Sequence, residues 1–153
     1  MEIGRCAVTV FPDPGGAMAF AGFSNNHERV QRIDVMSVIA ELANVPGVLA
    51  AGEYSYRGDR FTYKGQVSDD MARMASIMCR ATTMSAHMQA DMLEEHCPGS
   101  GVNPPEGWVV HGPAFSVCNV ANVFCFVRHN EASVNRIVAM MRQRLAGASH
   151  DLV

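Results

Sequence analysis

The side chains best suited to chemistry in this 153-residue sequence are its five cysteines, Cys6, Cys79, Cys97, Cys118 and Cys125. An odd number at wide spacing does not make a disulfide framework. The sequence suggests reduced thiols, mostly buried as small hydrophobes. Two of them carry a further possibility. If Ala121 and Asn122 form a two-residue turn, Cys118 lies directly opposite Cys125 on one face of a hairpin. Such a pair suits a redox couple or part of a metal site, with packed sheet thiols as the plainer reading. A closed zinc site needs four converging ligands. His111 is a candidate to approach the pair, though nothing in the sequence compels it. Cys79 is expected on a helix, either touching that same sheet face or filling core space. His96-Cys97 has the residue types for metal binding or nucleophilic chemistry, but no third group to orient them. Gly15-Gly16 and Gly99-x-Gly101 lack both the Gly-Lys-Ser/Thr ending and the dinucleotide-binding spacing, so neither is a phosphate loop. No catalytic, cofactor-binding or metal-binding residue is assigned.

Other residues have the chemistry of contact. Met71, Met74, Met78, Met84, Met88 and Met92 fall within one helical stretch and exceed what a single core stripe requires. Methionine is unbranched and adapts to varied partners. Two readings follow: core packing, or a partner surface or dimer seam carried by Met84, Met88 and Met92. Arg57 and Arg60 flank a turn with Asp59 between them. They form either a solvated turn or a charged rim that selects a partner. Trp108, the one tryptophan, opens a strand after Pro-Pro-Glu-Gly and is expected half-buried, anchoring the loop to the helix end.

The elements that must hold these residues are legible from periodicity. Asp34 is placed to cap a helix whose stripe is Val35, Val38, Ile39 and Leu42. Val45-Pro46-Gly47 stops it. Residues 48–56 and 60–66 read as a hairpin turned at Gly58-Asp59. Ser68 caps a long helix, with Asp69 and Asp70 in its first turn, where the helix dipole favours negative charge. It runs to about Glu95, and Met71, Met74, Ala75, Met78, Thr82, Ser85, Met88 and Met92 are expected along one side. Residues 97–101 end it. Strands are expected at 107–111, 114–120 and 123–128. Asn130 or Glu131 then opens a last helix with the stripe Val134, Ile137, Val138, Met141 and Leu145, ended at Gly147. Both parities of the last two strands are apolar, so both sheet faces need cover. The long helix covers one face, and the first and last helices share the other. The predicted fold is α+β. Residues 5–11 and 17–23 suggest a further hairpin in an N-terminal extension at 1–33. The main domain is placed at 34–147, with a tail at 148–153.

Composition narrows the function classes. The formal charge is -3, and the basic groups (Arg57, Arg60 and Lys64; Arg136, Arg142 and Arg144) are too small for the stripe that nucleic-acid binders show. No apolar run is long enough to span a membrane, and the N-terminus lacks an export signal, so a cytoplasmic location is expected. Hydrophobic residues make up 48% of the chain and charged residues 18%, which suggests that some apolar surface meets a partner.

Certain stretches resemble the roadblock / dynein light chain superfamily. They are Pro46-Gly47-Val48-Leu49-Ala50-Ala51-Gly52-Glu53 with Tyr63-Lys64-Gly65, Met71-Ala72 through Met78-Cys79, Gly107-Trp108-Val109-Val110, and Phe115-Ser116-Val117-Cys118. They are similar in particular to a small bacterial branch found in sulfur oxidisers. The resemblance covers about residues 34–147. It implies a profilin-like sandwich: a five-stranded antiparallel sheet with helices on both faces. It also implies a homodimer that acts on a cytoplasmic protein partner, such as a small GTPase or a redox or sulfur-metabolism complex. The contrasting expectation is a small-ligand, metal or redox-handling protein that uses Cys118 and Cys125. Fold resemblance alone does not decide between them.

Overall fold

The computed structural model describes residues 35–147. The expected extension at 1–33 with its hairpin, Cys6, the Asp34 cap and the tail at 148–153 lie outside the described residues. Within them the order is α1 Val35–Ala43, β1 Val48–Tyr54, β2 Phe61–Gly65, α2 Asp69–His96, β3 Gly107–His111, β4 Phe115–Val120, β5 Val123–Arg128 and α3 Val134–Arg144.

β2, β4 and the end of α2 differ from the sequence reading by single residues, and two boundaries differ by more. β1 stops at Tyr54 rather than at residue 56. Beyond it, Ser55 N–H donates to Arg60 O at 2.9 Å and the Ser55 hydroxyl donates to Asp59 at 2.5 Å, so these residues close the hairpin turn. α3 starts at Val134, not at Asn130 or Glu131. The N–H groups of Glu131 and Ala132 both donate to Arg128 O in a tight turn, and Ser133 takes the capping position.

The five strands pair antiparallel in the order β2-β1-β5-β4-β3. The β4–β5 turn is Ala121-Asn122, with Ala121 at φ +52°. Asn122 holds this tip against β1: its side-chain amide donates to Tyr54 O at 3.1 Å, and its own carbonyl accepts from Tyr54 N–H at 3.1 Å. A pinned two-residue turn leaves no slack in register, so Val120 faces Val123 and Cys118 faces Cys125.

Alternation then sorts the side chains. Ala51, Cys118, Val120, Val123, Cys125 and Val127 lie on one face, under Val38, Ile39 and Leu42 of α1 and Ile137 and Met141 of α3. Arg144 Nε donates to Glu41 at 2.8 Å and ties those two helices together across that face. Tyr54 and Phe124 lie on the other face, packed with Ala75 and Cys79 of α2. The fold is α+β, a five-stranded antiparallel sheet with helices on both faces. Among the described residues, no helix is long and apolar enough to cross a membrane.

α2 is where the structure corrects the sequence most. The face it buries is Ala72, Ala75, Ser76, Cys79, Thr83 and Ala90. Of the two readings of its methionines, core packing or a partner surface, the structure removes the first: Met71, Met74, Met78, Met84, Met88 and Met92 are all exposed. The reason lies in the sheet, which already supplies the bulk. Tyr54 and Phe124 stand up from it, and a methyl group built on Gly52 would lie 2.7 Å from the Phe124 ring. A helix can approach such a surface closely only on small side chains.

A closed set of hydrogen bonds fixes that approach. Tyr54 OH and Thr83 Oγ1 are 2.7 Å apart, Thr83 donates to Asn119 Oδ1 at 3.3 Å, and Asn119 Nδ2 donates to Tyr54 OH at 3.1 Å. Trp108 Nε1 donates to Thr83 Oγ1 at 2.8 Å. Trp108 is half-buried as expected, but it anchors to the middle of α2 and not to the helix end. Thr83 thus accepts from Tyr54 and Trp108 and donates once, which uses its whole hydrogen-bonding capacity. Among the described residues, no buried side-chain polar atom lacks a partner.

Candidate interaction surface

With about 100° of rotation per residue, the side chains of α2 fall into three stripes. The small residues face Tyr54 and Phe124. Met71, Met74 and Met78 sit to one side of them, above the β3–β4–β5 half of the sheet. Ile77, Met84, Met88 and Met92 form a ridge roughly opposite the core. Every residue of the last two stripes is at least half exposed, from Met84 at 51% to Met88 at 65%.

α2 therefore covers its sheet face only in part. Between Met71, Met74, Met78 and Thr82 on one wall and Val110, Val117 and Phe126 on the other runs an apolar groove of about 350 Å³, with Trp108 also in its lining. A smaller cavity of about 130 Å³ shares Met71, Ala75 and Phe126 with it and reaches Leu49, Tyr63, Val67 and Phe115. Val110 and Phe115 are themselves large and exposed. Groove and ridge each present exposed large apolar side chains, the kind of surface that marks a binding site.

Arg57 and Arg60 lie exposed on the β1–β2 turn, away from this groove lining. Arg60 Nε stands 3.9 Å from Asp59, and both side chains are well solvated. The bond from Ser55, with smaller contributions from Arg60 and Arg57, holds the Asp59 carboxyl below its ordinary value. A pair of this kind contributes little to stability, which leaves the two guanidinium groups free for outside contacts.

The cysteines occupy a different environment. Cys118 and Cys125 face each other as expected, fully buried beneath α1 and α3, and Cys125 Sγ lies 3.8 Å from Met141 Sδ. The two thiols shift in opposite directions: the neighbouring Cys125 lowers the Cys118 pKa, while the neighbouring Cys118 and burial raise that of Cys125. Cys79 does not join them. It lies on the opposite sheet face, where burial pushes its pKa up to about 12. Thiols enclosed in this way are poor nucleophiles. Cys97 is exposed at the end of α2, where its N–H donates to Leu93 O, while His96 Nδ1 turns back to Met92 O at 2.9 Å. These two residues make no joint site.

His111 does not approach the cysteine pair either. Its Nδ1 lies 2.8 Å from the buried Ser116 Oγ, which also lies 2.6 Å from His129 Nε2. Sequence reasoning missed this cluster. A signal existed in the register: His111 pairs with Ser116, Ser116 pairs with Val127, and His129 follows two residues later. The hydroxyl gives its proton to one ring and accepts from the other, so the cluster is satisfied, and its oxygen is closed to substrate. Among the described residues, no group of three or more His, Cys, Asp or Glu side chains is arranged to hold a metal ion.

Residues 38–143 match the family described as "Uncharacterized conserved protein (DUF2173)". The chain belongs to this family. No curated protein matches it. The matched stretch contains every residue of the groove and of the methionine ridge, together with Arg57, Arg60 and the Cys118–Cys125 pair.

Proposed function

We propose that this chain is a homodimeric interaction module of the roadblock / dynein light chain kind, acting on a cytoplasmic protein partner. The observation that carries this reading is the outward ridge of α2. Ile77, Met84, Met88 and Met92 project large apolar side chains into solvent along a helix whose opposite face is already packed. A straight helix presents the same stripe to a two-fold related copy, so one surface pairs with itself. Methionine side chains repack readily, which suits a seam that also serves other partners. Arg57 and Arg60 form a separate charged rim that selects the partner through its acidic groups. A small GTPase or a redox or sulfur-metabolism complex is the class of partner that the roadblock resemblance suggests.

The experiment is sedimentation of the full chain across micromolar concentrations, beside Met84→Asp and Met88→Asp. The wild type is expected as a dimer, and each variant as a shifted population with more monomer, because a carboxylate enters an apolar contact. A compact wild-type monomer throughout that range would overturn the dimer.

A further inference from the structure

We propose that the groove between α2 and the β3–β4–β5 half of the sheet is the docking site of the chain's own residues 5–23. The groove lining, including Met74, Val110, Val117 and Phe126, contains no charged side chain. An occupant must therefore be uncharged along its contact, since an unpaired charge there would go unsolvated. Residues 6–11, Cys-Ala-Val-Thr-Val-Phe, and residues 17–23, Ala-Met-Ala-Phe-Ala-Gly-Phe, are two uncharged apolar runs separated by a Pro-Asp-Pro-Gly-Gly turn sequence. β3 is an outer strand of the sheet, and β-branched Val8-Thr9-Val10 suits addition alongside such an edge.

Reach is sufficient. Residues 24–34 link the second run to Val35 at the start of α1. The path starts at α1 on the opposite sheet face and rounds a sheet edge: eleven extended residues span up to about 36 Å, against about 19 Å between the outer strands plus about 10 Å for one packed layer. A tether of that length keeps the segment at an effective concentration in the millimolar range, well above that of any second copy at micromolar protein. The ridge of Ile77, Met84, Met88 and Met92 points away from the groove and stays available, so this inference does not rest on the dimer.

The test uses the full chain with a benzophenone amino acid replacing Val110, irradiated at low micromolar concentration and mapped by peptide mass. The expected product is a link from position 110 to residues 5–23 of the same chain. A link to a second chain, or none to residues 5–23, would overturn the proposal. Chymotrypsin gives an independent measurement, because Phe11, Phe20 and Phe23 are cleavage sites inside the segment. Val110→Asp should speed their cleavage about tenfold or more, the factor that one unfavourable burial of charge supplies. Val110 is 52% exposed in the described domain, so the aspartate leaves the fold intact. Met88→Asp should leave the cleavage rate unchanged even where it dissociates a dimer. Equal rates for wild type and Val110→Asp would count against docking while leaving the dimer reading untouched.

Discussion

Thr83 is a small residue with a wide reach, because one hydroxyl holds Tyr54, Trp108 and Asn119 at the helix–sheet boundary. Valine has nearly the same shape but neither donates nor accepts. Thr83→Val would take one partner each from Tyr54 OH, Asn119 Oδ1 and the half-buried Trp108 Nε1, while the Asn119–Tyr54 bond remains; leaving a buried group unpaired costs about 1–3 kcal/mol before relaxation. We expect a loss of about 3 kcal/mol in urea unfolding, and a clearly smaller loss for Thr83→Ser, which keeps the hydroxyl. Equal losses would assign the effect to packing alone. The same logic of enclosure governs the thiols. In the native chain, Cys97 should react with a soluble disulfide reagent, whereas Cys79, Cys118 and Cys125 should react only after unfolding, as read by peptide mass mapping. Labelling of Cys118 at the rate of Cys97 would restore the ligand or redox reading. The facing of Cys118 and Cys125 was legible in the sequence because a two-residue turn sets register. Whether the pair meets solvent was not, since that depends on how α1 and α3 settle over it.

Among the elements, α2 shows where sequence reading stops. Its start was plain from Ser68 and the two aspartates, and the Ser68 hydroxyl does accept from Met71 N–H at 3.3 Å. The face it buries was not plain. Periodicity gives weight to large hydrophobes, and here those residues point outward while alanine, serine, cysteine and threonine point in. The deciding information sits about thirty residues and more away, in the bulk of Tyr54 and Phe124 and in the bare backbone of Gly52. The strands were easier, because each carries its own alternation and its own turn. The end of α2 carries a pH-dependent device. The Glu94 carboxylate accepts from Gly99 N–H at 2.7 Å and from Ser100 Oγ at 3.1 Å, which holds its pKa below the ordinary 4.5. A lowered folded value means that these bonds help in full above 4.5 and are lost as pH falls through the folded pKa. The protection factor of the Gly99 amide, its exchange rate set against the intrinsic rate at the same pH, should therefore be high near neutrality and fall in acid. Glu94→Gln should keep the lower protection at every pH, and a wild-type protection factor that does not change with pH would refute the assignment.

For the whole molecule, the question is what an exposed methionine ridge does to stability. In a lone chain Met88 is already 65% exposed, so Met88→Asp would fall within about ±0.5 kcal/mol, as solvated surface changes do. In a two-fold interface the same change enters twice, and each carboxylate loses water in an apolar contact at a cost of several kcal/mol. Thermal unfolding separates these cases, because a dimer is stabilised by its own concentration. Each tenfold rise in protein adds about 1.4 kcal/mol of association free energy. For a domain of this size that raises Tm by about 2–4 °C per kcal/mol. The wild type should show this climb across the micromolar range. Met88→Asp should show a lower and nearly flat Tm, converging on the stability of a single folded chain. Arg57→Glu and Arg60→Glu should follow the wild-type climb, since the exposed β1–β2 turn that carries them lies off the ridge. If the wild-type Tm stays flat while Met88→Asp matches it, the ridge makes no contact between copies. Its apolar surface would then serve a different protein, and binding of that partner would be the step that Met88→Asp weakens.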